Sequence, residues 1–265
     1  MDLAGNLLRL CDGIADIFIP RACPACGCAM DSSEETICCA CLLALHRAGV
    51  AVPGSKLMDT IANGPAPAGI AASWLRYRHD SPEARLIQSI KYRGRPRLGR
   101  DLGRMFGQEL AATEQRENFS SSRGALASRV ASARPLPEGT LKPAAIDVLI
   151  PVPLHWTKRL RRGFNQSELI AEGIADALGC GVATCLRAVR PHATQTHKTD
   201  QGRASNVVGI FALDEDAKLD GLNIAVVDDV ITTGATVREA ILTIGRAGAR
   251  PATVSVLSLA LAGLD

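Results

Sequence analysis

The stretch Ile224-Ala225-Val226-Val227-Asp228-Asp229-Val230-Ile231-Thr232-Thr233-Gly234-Ala235-Thr236 decides the fold, because it joins three signals that seldom occur together. An apolar β-type run, Ile224 to Val227, ends on two adjacent carboxylates, and the loop from Thr232 to Thr236 opens a helix. In that helix Val237, Ala240, Ile241 and Ile244 fall at i, i+3, i+4 and i+7, while Thr236 and Glu239 have the spacing of a capping box. Amides of a loop entering a helix N-terminus suit a phosphate, and glycine lets the backbone come close. Asp228 and Asp229 are then placed to accept hydrogen bonds from vicinal ribose hydroxyls, directly or through Mg²⁺. A Walker-B strand also ends in acids, but the chain has no G-x-x-x-x-G-K-[ST] loop.

Outward from this stretch the same order recurs. Ile146 to Val152 reads as a strand, followed by a loop with Lys158, Arg159, Arg161 and Arg162. Asn165 is the expected N-cap of the next helix, with Glu168 at the capping-box position and Leu169, Ile170, Ile174 and Leu178 on its apolar face. Cations thus lie at the carboxyl end of a strand, where an anion binds in parallel α/β sheets. Residues 194–206 are polar and aperiodic, the composition of a lid over a charged site and equally of a surface loop, and lead to a strand near Val207–Leu213. Earlier in the chain, a loop at Gly64–Gly69 precedes a strand at Ile70–Tyr77. Ser81-Pro82-Glu83 starts a helix reaching about Tyr92, Lys91 opens a turn, and a second helix covers about Pro96–Ala112. Residues 113–143 lose periodicity and read as a flexible insertion.

Composition bounds the chemistry. The chain has 265 residues, 47% hydrophobic, ample for a buried core. Aromatics at 3% leave little for base-stacking platforms. The net charge is only +3, but the clusters Arg76–Arg104 and Lys158–Arg162 favour a polyanion, pyrophosphate or nucleic acid. With no positive leader and no apolar run approaching a membrane span, the expected compartment is the cytoplasm. Nine cysteines there read as metal ligands rather than disulfides. Leu3–Ile17 has an amphipathic helical pattern. After it come two C-x-x-C pairs, Cys23/Cys26 and Cys38/Cys41, joined by a hairpin-like stretch. Four thiolates at that spacing suit a closed, structural Zn²⁺ site. Cys28 and Cys39 are alternative ligands, and a redox-active dithiol is the competing reading.

The Asp228–Thr236 string closely resembles the 5-phosphoribosyl-1-pyrophosphate (PRPP) signature of type I phosphoribosyltransferases. Together with Lys91-Tyr92-x-Gly94, Pro151-Val152-Pro153-Leu154, Arg162-Gly163-Phe164-Asn165-Gln166, Gln195, and Arg203-x-x-Asn206, it resembles the ComF family, with departures at His192 and Lys198. The resemblance implies residues 1–60 as an N-terminal helix and a four-cysteine zinc module of double-zinc-ribbon type. It implies 68–265 as an α/β phosphoribosyltransferase-like domain, a parallel sheet flanked by helices and interrupted at 113–143. It further implies a role in natural competence, with single-stranded DNA and competence proteins as partners. On this reading Thr232, Thr233, Gly234, Ala235 and Thr236 hold the 5-phosphate and Asp228 and Asp229 the ribose hydroxyls, with Mg²⁺. Lys91, Lys158, Arg159 and Arg162 hold pyrophosphate, closed over by Gln195 and Arg203. Two readings stand beside a transferase: a nucleotide- or DNA-binding protein without turnover, and a PRPP-sensing regulator.

Overall fold

A computed structural model describes residues 21–50, 56–59, 61, 64–92, 95–122, 146–190 and 208–263. The expected α/β class is observed. The strands are β1 (Arg47–Val50), β2 (Ala68–Tyr77), β3 (Val148–Pro151), β4 (Gly181–Val182), β5 (Leu186–Ala188), β6 (Phe211–Leu213), β7 (Asn223–Ile231) and β8 (Thr253–Ala262). Six of them form one sheet in the order β1-β2-β8-β7-β3-β4. All neighbours pair in parallel except β1, which runs antiparallel to β2. The short β5 and β6 form a separate antiparallel pair. The helices are α1 (Cys39–Ala44), α2 (Lys56–Asp59), α3 (Pro82–Tyr92), α4 (Pro96–Ser122), α5 (Trp156–Arg162), α6 (Gln166–Leu178) and α7 (Ala235–Arg246).

The continuous apolar runs seen in the sequence are the central strands, which parallel sheets bury on both faces. In β7, Ala225 and Val227 join one core cluster with α3, α4 and α6, whereas Ile224 and Val226 join another with α7 and the β5/β6 pair. The periodic face predicted for α7 is the buried one: Val237, Ala240, Ile241 and Ile244 are all at most 1% exposed. Burial of such side chains contributes about 1.5–3 kcal/mol each for the larger ones.

Several boundaries move. Strand β2 begins at Ala68, inside the expected loop, through an irregularity in its pairing with β8 between Ala68 and Ala71. Lys91 lies in the last turn of α3 rather than at a turn. Helix α4 runs past Ala112 to Ser122, into the expected insertion. The 113–120 stretch contains no Gly or Pro to stop it. The rest of that segment, the N-terminal helix predicted for 3–17 and the stretch 191–207 lie outside the described residues.

Helix α4 packs on α6 through glycine. A Cβ at Gly173 would stand 1.9 Å from the Arg100 carbonyl oxygen, and one at Gly103 2.3 Å from that of Ile170. Beside this contact Arg100 and Arg104 both pair with Asp176, at 3.0 and 3.3 Å. Those arginines of the first basic cluster therefore bridge two helices. Because the obstructing atoms at Gly173 are backbone, Gly173→Ala is expected to force the helices apart and cost about 1–3 kcal/mol in urea unfolding. An unchanged midpoint would mean that the contact is looser than described.

Candidate functional site

Strand β7 carries Asp228 and Asp229 beyond the point where its neighbour β3 ends, since Pro151 pairs with Val227. The two carboxylates therefore stand at the carboxyl end of the sheet, where parallel α/β folds leave a crevice. The strand continues to Ile231, and Thr232 and Thr233 are exposed before Gly234, whose φ of 74° is left-handed. That conformation suits glycine and turns the chain sharply into α7. Gly234 is the N-cap and makes no side-chain cap bond. The capping box predicted for Thr236 and Glu239 is therefore not formed. Glu239 is buried and instead accepts from the Gly209 N–H at 2.7 Å and pairs with Arg246. At the opening amides the side-chain contact is a long one, Ala235 N–H to Thr233 Oγ1 at 3.5 Å. The loop thus keeps the donor character that a phosphate requires.

Two elements reach the carboxylates and a third lies beside them. From α3, Lys91 Nζ sits 2.7 Å from Asp229 Oδ2. From α6, Ser167 Oγ donates to Asp228 Oδ1 at 3.1 Å, and the same oxygen accepts from the Asp229 N–H at 2.8 Å. From α5, Arg162 donates to Gln166 Oε1 at 3.0 Å, and its charge is felt at Lys91. Lys91, expected among the pyrophosphate ligands, is here the partner of a carboxylate. Arg159 points away to Glu168 at 3.9 Å, and Lys158 is placed only by its backbone in α5. Gln195 and Arg203 lie outside the described residues.

Two local readings change. Asn165 is the N-cap residue of α6 but makes no cap bond; its amide donates to the Val152 carbonyl at 3.0 Å, fixing the loop to the end of β3. Glu168 accordingly faces Arg159 rather than a capping box. Ser167 and Gln166 carry polar contacts that no role was assigned to from sequence. Their signal was position: both fall in the first turn of a helix that faces the carboxyl end of the sheet. Gln166 is 2% exposed and its Nε2 has no partner among the described residues.

The cysteine module forms a second centre. Sγ atoms of Cys23, Cys26, Cys38 and Cys41 lie within 4.8 Å of one another. Thiolates about 2.3 Å from a tetrahedral Zn²⁺ stand about 3.8 Å apart. Cys26 and Cys38 Sγ are 3.7 Å apart, at that spacing, and the chemistry and closeness of the four thiols fit such a metal. Cys28 and Cys39 are exposed and outside the cluster, although the Cys28 carbonyl accepts from the Cys23 N–H at 2.8 Å and shapes the first knuckle. The Cys38 N–H points at Cys23 Sγ, 3.4 Å away, a donor suited to a thiolate.

No family model matches the chain. It is 33% identical to the DNA utilization protein YhgH of Salmonella typhi over 179 residues, 67% of this chain and 66% of that one. It is 29% identical to YhgH of Salmonella typhimurium over 92% of this chain and 98% of the relative. Competence protein F of Haemophilus influenzae is 32% identical over 35% of this chain and 42% of its own length. Among solved structures, adenine phosphoribosyltransferase from Thermoanaerobacter pseudethanolicus matches with 16% identity and a TM-score of 0.28, covering 44% of this chain and 70% of that one.

The electrostatics of the dicarboxylate follow from its surroundings. Burial, then the adjacent Asp229 charge, push Asp228 up from 3.8 to about 7, against the opposing pull of the Asp229 N–H, Lys91 and Ser167. Lys91 is held above its usual value: burial works against its charge, but the Asp229 carboxylate outweighs it. The folded chain therefore binds a proton at Asp228 that the unfolded chain releases between pH 3.8 and about 7. Stability from this group is complete below that window and declines as pH rises through it. Asp228→Asn is expected to match the wild type near pH 4 and to melt progressively higher than it between pH 5 and pH 8. Parallel melting curves across that range would contradict the assignment.

Proposed function

Because the chain belongs to the family of the DNA utilization protein YhgH and Competence protein F, we propose that its Asp228–Thr236 site binds PRPP or another 5-phosphoribosyl group in support of DNA uptake and use. One observation carries this reading: a dicarboxylate and an open threonine-glycine loop stand together at the carboxyl end of a buried parallel strand, with a lysine on one carboxylate. The loop amides and the hydroxyls of Thr232, Thr233 and Thr236 receive the 5-phosphate. Asp228 and Asp229 receive the ribose hydroxyls. Lys91 and Arg162 are the cations assigned to the pyrophosphate; Lys158, Arg159, Gln195 and Arg203 are further contacts, Arg159 after leaving Glu168.

Two carboxylates are too few for an all-protein Mg²⁺ cage, but they suit an ion that arrives with the ligand's phosphates. When bound, Mg²⁺ would neutralise pyrophosphate charge. The protein's own part is positional: the loop fixes the phosphate, and the carboxylates lie where positive charge develops on the ribose ring as pyrophosphate leaves. In the cysteine module Zn²⁺ would be held by Cys23, Cys26, Cys38 and Cys41, with no open position for chemistry.

A reading without turnover draws on the names of the relatives, which speak of DNA utilization and competence rather than of transfer. In it the same site recognises a phosphorylated ribose or a DNA end, the basic clusters engage single-stranded DNA, and competence proteins dock on the complex. No helix among the described residues is long and apolar enough to cross a membrane. A cytoplasmic site of action, and a PRPP-sensing role, belong to this proposal as well.

Calorimetry with PRPP and Mg²⁺, followed by pyrophosphate release with nucleobases and single-stranded DNA, separates the readings: binding with release identifies a transferase, binding without release a recognition protein. Asp229→Asn, which keeps the shape of the side chain while removing its charge, is expected to weaken PRPP binding at least tenfold and to leave metal content unchanged. Wild-type affinity in that variant would exclude the site. Metal analysis of the purified chain should return about one equivalent of zinc, and less than half an equivalent in folded protein would contradict the four-thiolate centre.

A further inference from the structure

Helix α3 lies between the two centres, and its side chains touch both. On one side it is held by the cysteine module. Ser89 Oγ donates to the Pro24 carbonyl at 3.3 Å, and Arg85 Nε donates to that of Ala25. Ser89 and Arg85 are four residues apart and share one helix face. Both accepting carbonyls belong to the knuckle between Cys23 and Cys26, where Cys23 and Ala25 are at most 2% exposed. In the first turn of the helix, Glu83 is fully buried and its Oε1 accepts from the His46 N–H at 2.7 Å, with the His46 ring at 3.1 Å. His46 links the module to β1, and its carbonyl accepts from the Arg76 N–H of β2 at 2.8 Å.

Two residues beyond Ser89, about 200° around the helix, Lys91 leaves the opposite side. It reaches Asp229 at 2.7 Å. The helix itself is seated on the sheet by Leu86, Ile87 and Ile90, each at most 2% exposed. Apolar contacts of that kind resist separation but are nondirectional, so they allow small slides and rotations. The bonds to Pro24, Ala25 and His46 are directional, and they fix the axial position and roll of α3. A close ammonium–carboxylate contact is sensitive to such displacements. The knuckle carbonyls are flanked by Cys23 and Cys26, so a tetrahedral metal on the four thiols would hold the knuckle in the shape that points them at α3.

We propose that the four-cysteine module is the positioning element for Lys91: by clamping α3 through Arg85, Ser89 and Glu83, the metal-loaded module sets the ion pair with Asp229 and hence the affinity of the ribose-phosphate site. Arg85, Ser89 and Glu83 are positioning residues that act through Lys91 and do not touch the ligand. The consequence for affinity rests on the reading of the site as a phosphoribosyl site; the coupling between metal module and Lys91 does not.

The test uses the full chain and separates these two layers. Acylation of Lys91 by acetic anhydride, followed by mass spectrometry, reports the ion pair without any ligand. Labelling is expected to be several-fold faster in Arg85→Met and Ser89→Ala than in the wild type, with Arg85→Lys restoring protection. Chelator-stripped wild type should behave as Arg85→Met does, provided its near-ultraviolet circular dichroism is retained; if it is not, the two variants decide. Wild-type labelling rates in both variants would overturn the proposal. In PRPP calorimetry, Arg85→Met should weaken binding about tenfold in the wild-type background and not at all in a Lys91→Met background. Equal losses in both backgrounds would show a merely structural effect and also overturn it. If the wild type itself binds no PRPP, the phosphoribosyl reading fails, and the labelling result still decides the coupling.

Discussion

Two neighbouring carboxylates at the end of a buried strand repel one another and lose hydration, and the organisation of this chain follows from how that cost is met. Lys91 supplies a countercharge to Asp229, Ser167 and the Asp229 N–H supply donors to Asp228, and burial with the Asp229 charge lifts Asp228 well above the usual carboxylate range. Each compensating group comes from a different element, α3, α6 and β7 itself, so those elements must be held in fixed relation. The glycine contact between α4 and α6 and the paired Arg100, Arg104 and Asp176 hold one of them. The cysteine module and β1 hold another. A site with unfavourable internal charge is maintained by its supports, and a ligand that brings hydroxyls and a cation would relieve part of that cost.

Much of this was legible in the chain. The apolar runs at Ile224–Val227 and Ile146–Val152 announced buried parallel strands because parallel sheets need apolar residues on both faces. The threonine-glycine loop was legible because a glycine ahead of an apolar helix lets the backbone come close to a phosphate, and the paired C-x-x-C spacing because it can bring four thiolates to one tetrahedral site. The same spacing singled out Cys23, Cys26, Cys38 and Cys41, the four thiols that cluster; the alternatives Cys28 and Cys39 are exposed and outside the cluster.

The misplaced capping boxes share one cause. Thr236 and Glu239, like Asn165 and Glu168, have the right spacing, but spacing counts only local partners. Glu239 was claimed by the Gly209 N–H and Arg246, and Asn165 by the Val152 carbonyl, groups brought near by tertiary structure. Lys91 likewise has a partner that its sequence position does not announce. Its charge suggested an anionic ligand, whereas the fold provides an anion of its own in Asp229. Local chemistry thus named the participants correctly more often than it named their partners.

The placement of β1 has a further consequence. Strand β2 is ten residues long and mostly buried, and on the side away from β8 it would present a row of unpaired amides and carbonyls. Such an open border is a template for pairing between copies of a chain. The cysteine module leads directly into β1, which pairs antiparallel with β2 from Leu75 to Ala72, while the His46 carbonyl takes the Arg76 amide just beyond it. Along Ala72–Arg76 the border that remains is that of a four-residue strand, too short to recruit a neighbour readily. The small module therefore also serves as an edge guard, keeping the long inner strand from nucleating intermolecular sheets.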